Sequence, residues 1–115
     1  MYGGIKMNIN KLKELGCEVN EGLNRCLNNE DFYLKLVNRA LDDNKLPELK
    51  NAIVIKDFDK AFEIAHALKG VYGNLSLTPL YDIIYEITEL LRAKKDVDYK
   101  DLIDKYEKCY FKFKD

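Results

Sequence analysis

One histidine, His66, is the residue of this sequence best suited to group-transfer chemistry. On a helical projection at 100° per residue from Phe58, the apolar positions of residues 57–75 cluster near about 310°, and His66 falls at about 80°. The imidazole should therefore face water while the opposite side of the helix packs into a core. Lys69 follows one turn later, close enough for its ammonium to reach the ring. A neutral imidazole is a nucleophile near physiological pH, and an adjacent ammonium would stabilise an anionic group transferred to it.

Two glycines lie on the same exposed strip as the histidine. The projection places Gly73 at about 60° and Gly70 at about 120°, on either side of His66. An interior glycine costs a helix about 1 kcal/mol relative to alanine, so two on one strip indicate that something needs the space. A partner approaching the imidazole would need it; alternatively, either glycine admits a neighbouring helix, or Gly73 ends this helix. The candidate docking surface around His66 comprises Asp59, Phe62, Glu63, Gly70, Gly73 and Leu77.

Two helices are predicted after the histidine helix. Residues 80–91 and residues 99–113 each carry apolar side chains at the i, i+3, i+4 and i+7 spacing of an amphipathic helix. Pro79 and Asp98 are start signals, because proline suits the first turn of a helix and aspartate caps its N-terminus. Residues 96–98 are therefore predicted to form a tight turn between the two helices.

Two helices are predicted before the histidine helix. Residues 32–41 repeat the amphipathic spacing behind a cap at Asn29 or Asp31. Residues 47–56 form a short helix that either joins the histidine helix or kinks into it near Asp57. The loss of periodicity after residue 41 separates the first of these helices from the second.

The N-terminal part of the chain is predicted to lie across one end of the helices that follow. Residues 8–27 form one or two helices, broken at Gly16, with an apolar stripe that includes Leu27. Short connections between amphipathic helices force neighbours to run antiparallel. The sequence thus predicts an all-α domain over residues 1–115: an up-down-up-down antiparallel four-helix bundle in residues 29–113, with additional short N-terminal helices. No stretch shows the alternation of a half-buried strand.

Composition excludes several classes of protein. The 115 residues carry 19 Lys and Arg against 20 Asp and Glu, so there is no basic excess to neutralise a nucleic-acid backbone. The longest apolar run, residues 52–55, is far too short to span a membrane, and residues 1–6 lack a signal-peptide core. Three cysteines without metal-ligand spacing suit a reducing compartment. We expect a cytoplasmic monomer that binds neither nucleic acid nor membrane.

Residues 66–70 read HALKG and are followed by Asn74 and a leucine. This stretch resembles the H-x-L-K-G signature of histidine-containing phosphotransfer (HPt) domains, and the resemblance extends over roughly residues 22–112. The chain departs from the family pattern at Tyr72 and its neighbour Val71, where the family prefers small residues, and at Ser76, where it prefers glycine. The side chain of Tyr72 would need space beside the helix that begins near residue 80. Ser76 would change how the chain turns between the two helices.

The resemblance implies a role for each residue of the motif. His66 would be the phospho-acceptor, Lys69 the cation that stabilises the phosphoryl group, and Gly70 the clearance for an incoming receiver domain. The chain would accept the phosphoryl group from a receiver aspartyl phosphate and pass it to another receiver domain. Its partners would be a response-regulator receiver domain and a hybrid sensor histidine kinase. The receiver would bring Mg²⁺, so no cofactor is expected on this chain.

Two other classes of function compete with phosphotransfer. The chain has no GxxxxGK[ST] or GxGxxG loop to hold ATP, so we expect a carrier without kinase activity of its own. A helical scaffold of the same fold that no longer transfers phosphate is the main alternative, although the retained histidine, lysine and glycine argue against it. A hydrolase or metal enzyme would need a second histidine, nucleophile or ligand set near His66, and no motif supplies one.

Overall fold

The computed structural model describes residues 7–114, which form helices and no strands. The all-α prediction is therefore confirmed for these residues, while residues 1–6 and 115, which the predicted domain and leader assignments include, lie outside them. None of the described helices is both long and apolar enough to cross a membrane. The helices are α1 (Ile9–Glu14), α2 (Val19–Arg25), α3 (Glu30–Asp42), α4 (Leu46–Val54), α5 (Phe58–Asn74), α6 (Thr78–Arg92) and α7 (Lys100–Lys114).

The helix starts follow signals that are present in the sequence. The side chains of Asn8, Asn29 and Asp57 each accept a hydrogen bond from a backbone N–H in the first turn of α1, α3 and α5. Such caps satisfy donors that have no partner within the helix. Of the two caps considered for α3, the structure uses Asn29. Pro47 and Pro79 lie in the first turns of α4 and α6, where a missing N–H costs nothing.

Five of the described helices, α1, α2, α4, α5 and α6, end in the same backbone motif. In each, a residue with a left-handed backbone conformation follows the last turn, and two N–H groups donate back to helix carbonyls. Glycine is favoured there because other residues cost about 1–2 kcal/mol in this conformation. The left-handed residues are Gly16, Leu27, Lys56, Ser76 and Lys94, with φ of 97°, 58°, 61°, 55° and 53°.

Helices α4 to α7 form the four-helix bundle. Three residues join α4 to α5 and three join α5 to α6, so these neighbours run antiparallel. Helix α7 returns beside α4, where Lys50 pairs with Glu107 at 3.3 Å. The α6–α7 connection spans residues 93–99 and is longer than the tight turn predicted at residues 96–98. It meets the α4–α5 turn at one end of the bundle through a 3.2 Å ion pair between Lys56 and Asp96. The predicted up-down-up-down topology thus holds for α4 to α7, whereas α3, which the predicted bundle of residues 29–113 includes, lies with α1 and α2 at one end of it.

A tyrosine pair joins α5 to α7 inside the bundle. Tyr72 and Tyr106 are about 1% exposed, and their hydroxyl oxygens lie 2.6 Å apart in a hydrogen bond. Burial raises the pKa of Tyr106 to about 12 and raises the pKa of Tyr72 above its usual value, so both phenols stay neutral. Space for Tyr72 was expected from the helix near residue 80. The hydrogen bond to Tyr106 shows that Tyr72 packs against α7.

Helices α1 to α3 pack at the end of the bundle where α5 terminates. The Tyr33 hydroxyl donates to the carbonyl oxygen of Leu75 at 2.7 Å. Arg25 donates to the hydroxyl of Ser76 at 2.8 Å and to the last carbonyls of α5, which have no partner within the helix. The prediction that Leu27 belongs to the N-terminal apolar stripe is wrong. Helix α2 ends at Arg25, and Leu27, in a left-handed conformation, is 89% exposed.

Candidate functional site

His66 lies in the middle of α5 on its exposed side. The opposite side of the helix carries Ala61, Ala65 and Leu68, which are at most 6% exposed. The predicted orientation of the helix is therefore confirmed. The imidazole stacks on the ring of Phe62, one turn earlier, with the ring centroids 5.4 Å apart and the planes 17° from parallel. This contact restricts the orientation of the imidazole while its outer face stays open to water.

The side of His66 that faces α6 is occupied by aromatic and cationic groups. Gly73 belongs to this side because a Cβ placed on it would lie 3.1 Å from Cε1 of Tyr81. Two cation–ring contacts cross between the helices: Lys69 Nζ lies 5.2 Å from the centroid of the Tyr85 ring, and Arg92 Cζ lies 5.0 Å from that of Phe62. We call this surface the α6 flank. It consists of Phe62, Lys69, Gly73, Tyr81, Tyr85 and Arg92.

Lys69 differs from the other cations near His66 because no described carboxylate pairs with it. Arg92 pairs with Glu89 at 3.2 Å, and Lys94 pairs with Asp59 at 3.6 Å. Lys69 is half-buried and contacts the face of an aromatic ring instead. A ring attracts an ammonium without neutralising it, so the full positive charge stays available one turn from the imidazole.

The side of His66 that faces α4 is open. A Cβ placed on Gly70 would meet no atom within 4 Å. Ala67 and Val71 are exposed, and beside them runs a groove of about 280 Å³ between α5 and the start of α4. Carboxylates line its rim. We call this surface the α4 flank. It consists of Asp43, Lys45, Glu48, Glu63, Ala67, Gly70 and Val71.

The two glycines of the motif region therefore have different surroundings. Gly70 borders open space, as expected of a residue that leaves room for a partner. Gly73 is half-buried, and its missing side chain admits the ring of Tyr81. Of the alternatives left open by the sequence, close packing against a neighbouring helix applies to Gly73. The strip along α5 is thus bare at Gly70 and covered at Gly73.

The placement of Leu77 on the docking surface is wrong. Helix α5 ends at Asn74, so a helical projection cannot be continued to residue 77. The left-handed backbone of Ser76 redirects the chain, and the N–H of Leu77 donates to the carbonyl of Tyr72 at 2.9 Å. The Leu77 side chain is completely buried and cannot contact a docked partner. Glu63 and Asp59 remain exposed on α5, although Asp59 is paired with a lysine that follows α6.

Sequence reasoning missed the contribution of α6. Tyr81, Tyr85 and Arg92 lie at i, i+4 and i+11, which places them on one stripe of α6 beside its buried stripe. That spacing was visible in the sequence. What was missing was the pairing of the two helices, which brings this stripe against Phe62 and Lys69.

An exposed imidazole on the side of a helical bundle is accessible to another macromolecule. A family model described as the Hpt domain matches residues 33–112, well over half of the chain, and the chain therefore belongs to the Hpt domain family. Proteins of this family serve histidine phosphotransfer in phosphorelays and interact with receiver domains and kinases. Comparison with curated proteins and with solved structures gives no match.

Proposed function

We propose that this chain is a phosphorelay intermediate that carries a phosphoryl group on His66. It accepts the group from the aspartyl phosphate of one receiver domain and passes it to another. The observation that carries the proposal is the exposed imidazole in the middle of α5, with Lys69 one turn away as a cation that no carboxylate of residues 7–114 pairs with. Both residues lie in the HALKG stretch, inside the region that matches the family.

The transfer is an in-line displacement at phosphorus. The lone pair of an imidazole nitrogen forms the P–N bond while the bond from phosphorus to the aspartyl oxygen breaks, and the aspartate leaves as a carboxylate. The proton on the other ring nitrogen stays on the ring until it exchanges with water. The product is a phosphoramidate, and attack by the carboxylate of a second receiver reverses the same step.

This chain contributes positioning and charge to the reaction. Stacking on Phe62 holds the imidazole against rotation. The Lys69 ammonium donates hydrogen bonds to the phosphoryl oxygens and offsets part of their negative charge. Mg²⁺ supplied by the receiver would screen the remaining charge. We propose no ATP site on this chain and assign initial phosphorylation to a hybrid sensor histidine kinase.

We also propose that the chain works as a cytoplasmic monomer. The free cysteines Cys17, Cys26 and Cys109 suit a reducing compartment. Burial raises the pKa of the Cys17 thiol to about 12, so this residue stays protonated and chemically inert. Sedimentation of the purified chain would show the oligomeric state directly.

The test is incubation with receiver domains that carry radiolabelled aspartyl phosphate. Label should appear on this chain, should be lost in acid and kept in base as expected of phosphohistidine, and should be absent from His66→Gln. Lys60→Gln is a matched control, because Lys60 is an exposed residue of the same helix, and its label should equal that of the unmodified chain. Label that survives His66→Gln would refute the assignment.

A further inference from the structure

The α4 flank has the features of a recognition surface. Its groove of about 280 Å³ has an apolar floor formed by Ile64, Ala67, Leu68 and Val71. Val71, in the last turn of α5, is 40% exposed. A partner that docks over His66 and extends toward α4 would cover this apolar surface. The groove has room for one apolar side chain of a partner.

The charges around this groove do not balance. Asp43 and Lys45 form a 3.5 Å ion pair with each other. Glu48 and Glu63, which also line the groove, form no ion pair with any residue from 7 to 114. The groove therefore presents two carboxylates without ion-pair partners among these residues, one from α4 and one from α5, beside its apolar lining. Such a surface attracts a basic group and disfavours an acidic one.

The groove continues directly into the site of transfer. Glu63 lies one turn before His66, Ala67 immediately follows it, and Gly70 lies one turn after it on the open side. On the opposite side the aromatic rings and cations of the α6 flank already contact one another. A partner that covers His66 can therefore extend over the α4 flank without displacing existing contacts.

We propose that the α4 flank selects the receiver domain, and that it recognises an apolar side chain flanked by lysine or arginine on the receiver. This inference rests on the proposed phosphotransfer to His66. The apolar side chain enters the groove over Ala67 and Val71, and the basic groups pair with Glu48 and Glu63. The α4 flank thereby sets the affinity for the receiver, while the reacting groups are His66 and Lys69.

The test compares charge reversals at two exposed carboxylates, neither of which forms an ion pair within the described part of the chain. Glu48, which lies in the groove, and Glu86, which lies on α6 away from the groove, are each replaced with lysine. With a phosphorylated receiver domain that has lysine or arginine beside an exposed apolar residue, Glu48→Lys should raise the KM for the receiver about 3–10-fold at low salt and leave kcat unchanged. The difference should shrink at 0.5 M salt because exposed charges are screened. Glu86→Lys should change neither constant.

Two further measurements separate recognition from chemistry. Labelling of His66 by phosphoramidate, a small donor that needs no docking, should be the same in Glu48→Lys and in the unmodified chain. Replacing the receiver's basic residue with glutamate should restore a low KM for Glu48→Lys. If Glu48→Lys leaves the KM for the receiver unchanged, or if Glu86→Lys raises it equally, the inference is refuted while the proposed function stands. Failure of every receiver to label the unmodified chain would refute the proposed function and the inference together.

Discussion

On the α6 flank of His66 the cations and aromatic rings are already in contact with one another, whereas on the α4 flank Glu48 and Glu63 form no ion pair with the described residues and two apolar side chains are exposed. Lys69 and Arg92 lie over rings, and Tyr81 fills the space beside Gly73. Across α5, Gly70 borders open space and Glu48 has no ion-pair partner among the described residues. The two flanks share α5 and its histidine, and they differ in the α5 residues that face each side and in the helix that lies beside them.

The difference indicates a division of tasks. A group that must stabilise charge in a transition state is most effective when its position is set beforehand, and contacts across the α5–α6 pair provide this for Lys69. A surface that must bind and release a partner needs exposed groups whose contacts form only in the complex. The α6 flank therefore suits the chemistry of transfer, and the α4 flank suits recognition.

The largest effect should come from removing the cation of the α6 flank. Lys69→Ala should slow receiver-dependent phosphorylation of His66 and shorten the lifetime of the phosphohistidine. A charge-assisted hydrogen bond contributes about 1.5–3 kcal/mol, which corresponds to roughly 10–150-fold in rate if it acts fully in the transition state. Rapid-quench kinetics with labelled receiver would measure the rate. Lys60→Ala, a matched change on the same helix, should leave it unchanged. Equal rates for both variants would contradict a chemical role for Lys69.

A smaller effect should follow from changing the ring that holds this cation. Tyr85→Leu removes the aromatic face over which Lys69 lies, so the ammonium samples more positions before transfer. An exposed cation–ring contact is worth about 0.5–1 kcal/mol, so the rate should fall roughly 2–5-fold. The KM for the receiver should stay the same, because Tyr85 lies outside the α4 flank.

The conservative variant Tyr85→Phe tests whether the ring itself is responsible. It keeps the aromatic face and removes only the hydroxyl, so its rate should match that of the unmodified chain. A rate as low as that of Tyr85→Leu would show that the hydroxyl matters instead. A rise in KM would place Tyr85 in the recognition surface and remove the distinction between the two flanks.

The smallest effect concerns the two glycines, which form a matched pair on α5. Gly70→Ala should stabilise the fold by up to about 1 kcal/mol, because alanine is the better helix former and no atom opposes its Cβ. Gly73→Ala should gain less or lose stability, because its Cβ would lie 3.1 Å from the Tyr81 ring. Urea unfolding followed by circular dichroism would measure both. Equal stabilisation of the two variants would mean that Tyr81 moves aside easily, and that the α6 flank is looser than its contacts suggest.

The sequence by itself determined the helices and the orientation of α5. Amphipathic spacing, the caps at Asn29 and Asp57 and the prolines of α4 and α6 are local signals, because helix hydrogen bonds and first-turn caps connect residues only a few positions apart. The exposure of His66 followed from the same local periodicity. The HALKG stretch then indicated the Hpt family, and the match over residues 33–112 confirmed it.

Only the tertiary structure decided which helix lies on each side of His66. A helical projection gives the direction of each side chain but does not identify the neighbour that covers it, so it could not distinguish Gly70 from Gly73. It also fails where the backbone leaves the helix. Ser76 adopts a left-handed conformation that its residue type does not signal, and Leu77 is consequently buried. Contacts between residues far apart in sequence, such as that of Lys69 with Tyr85, depend on the packing of whole helices, which local spacing does not encode.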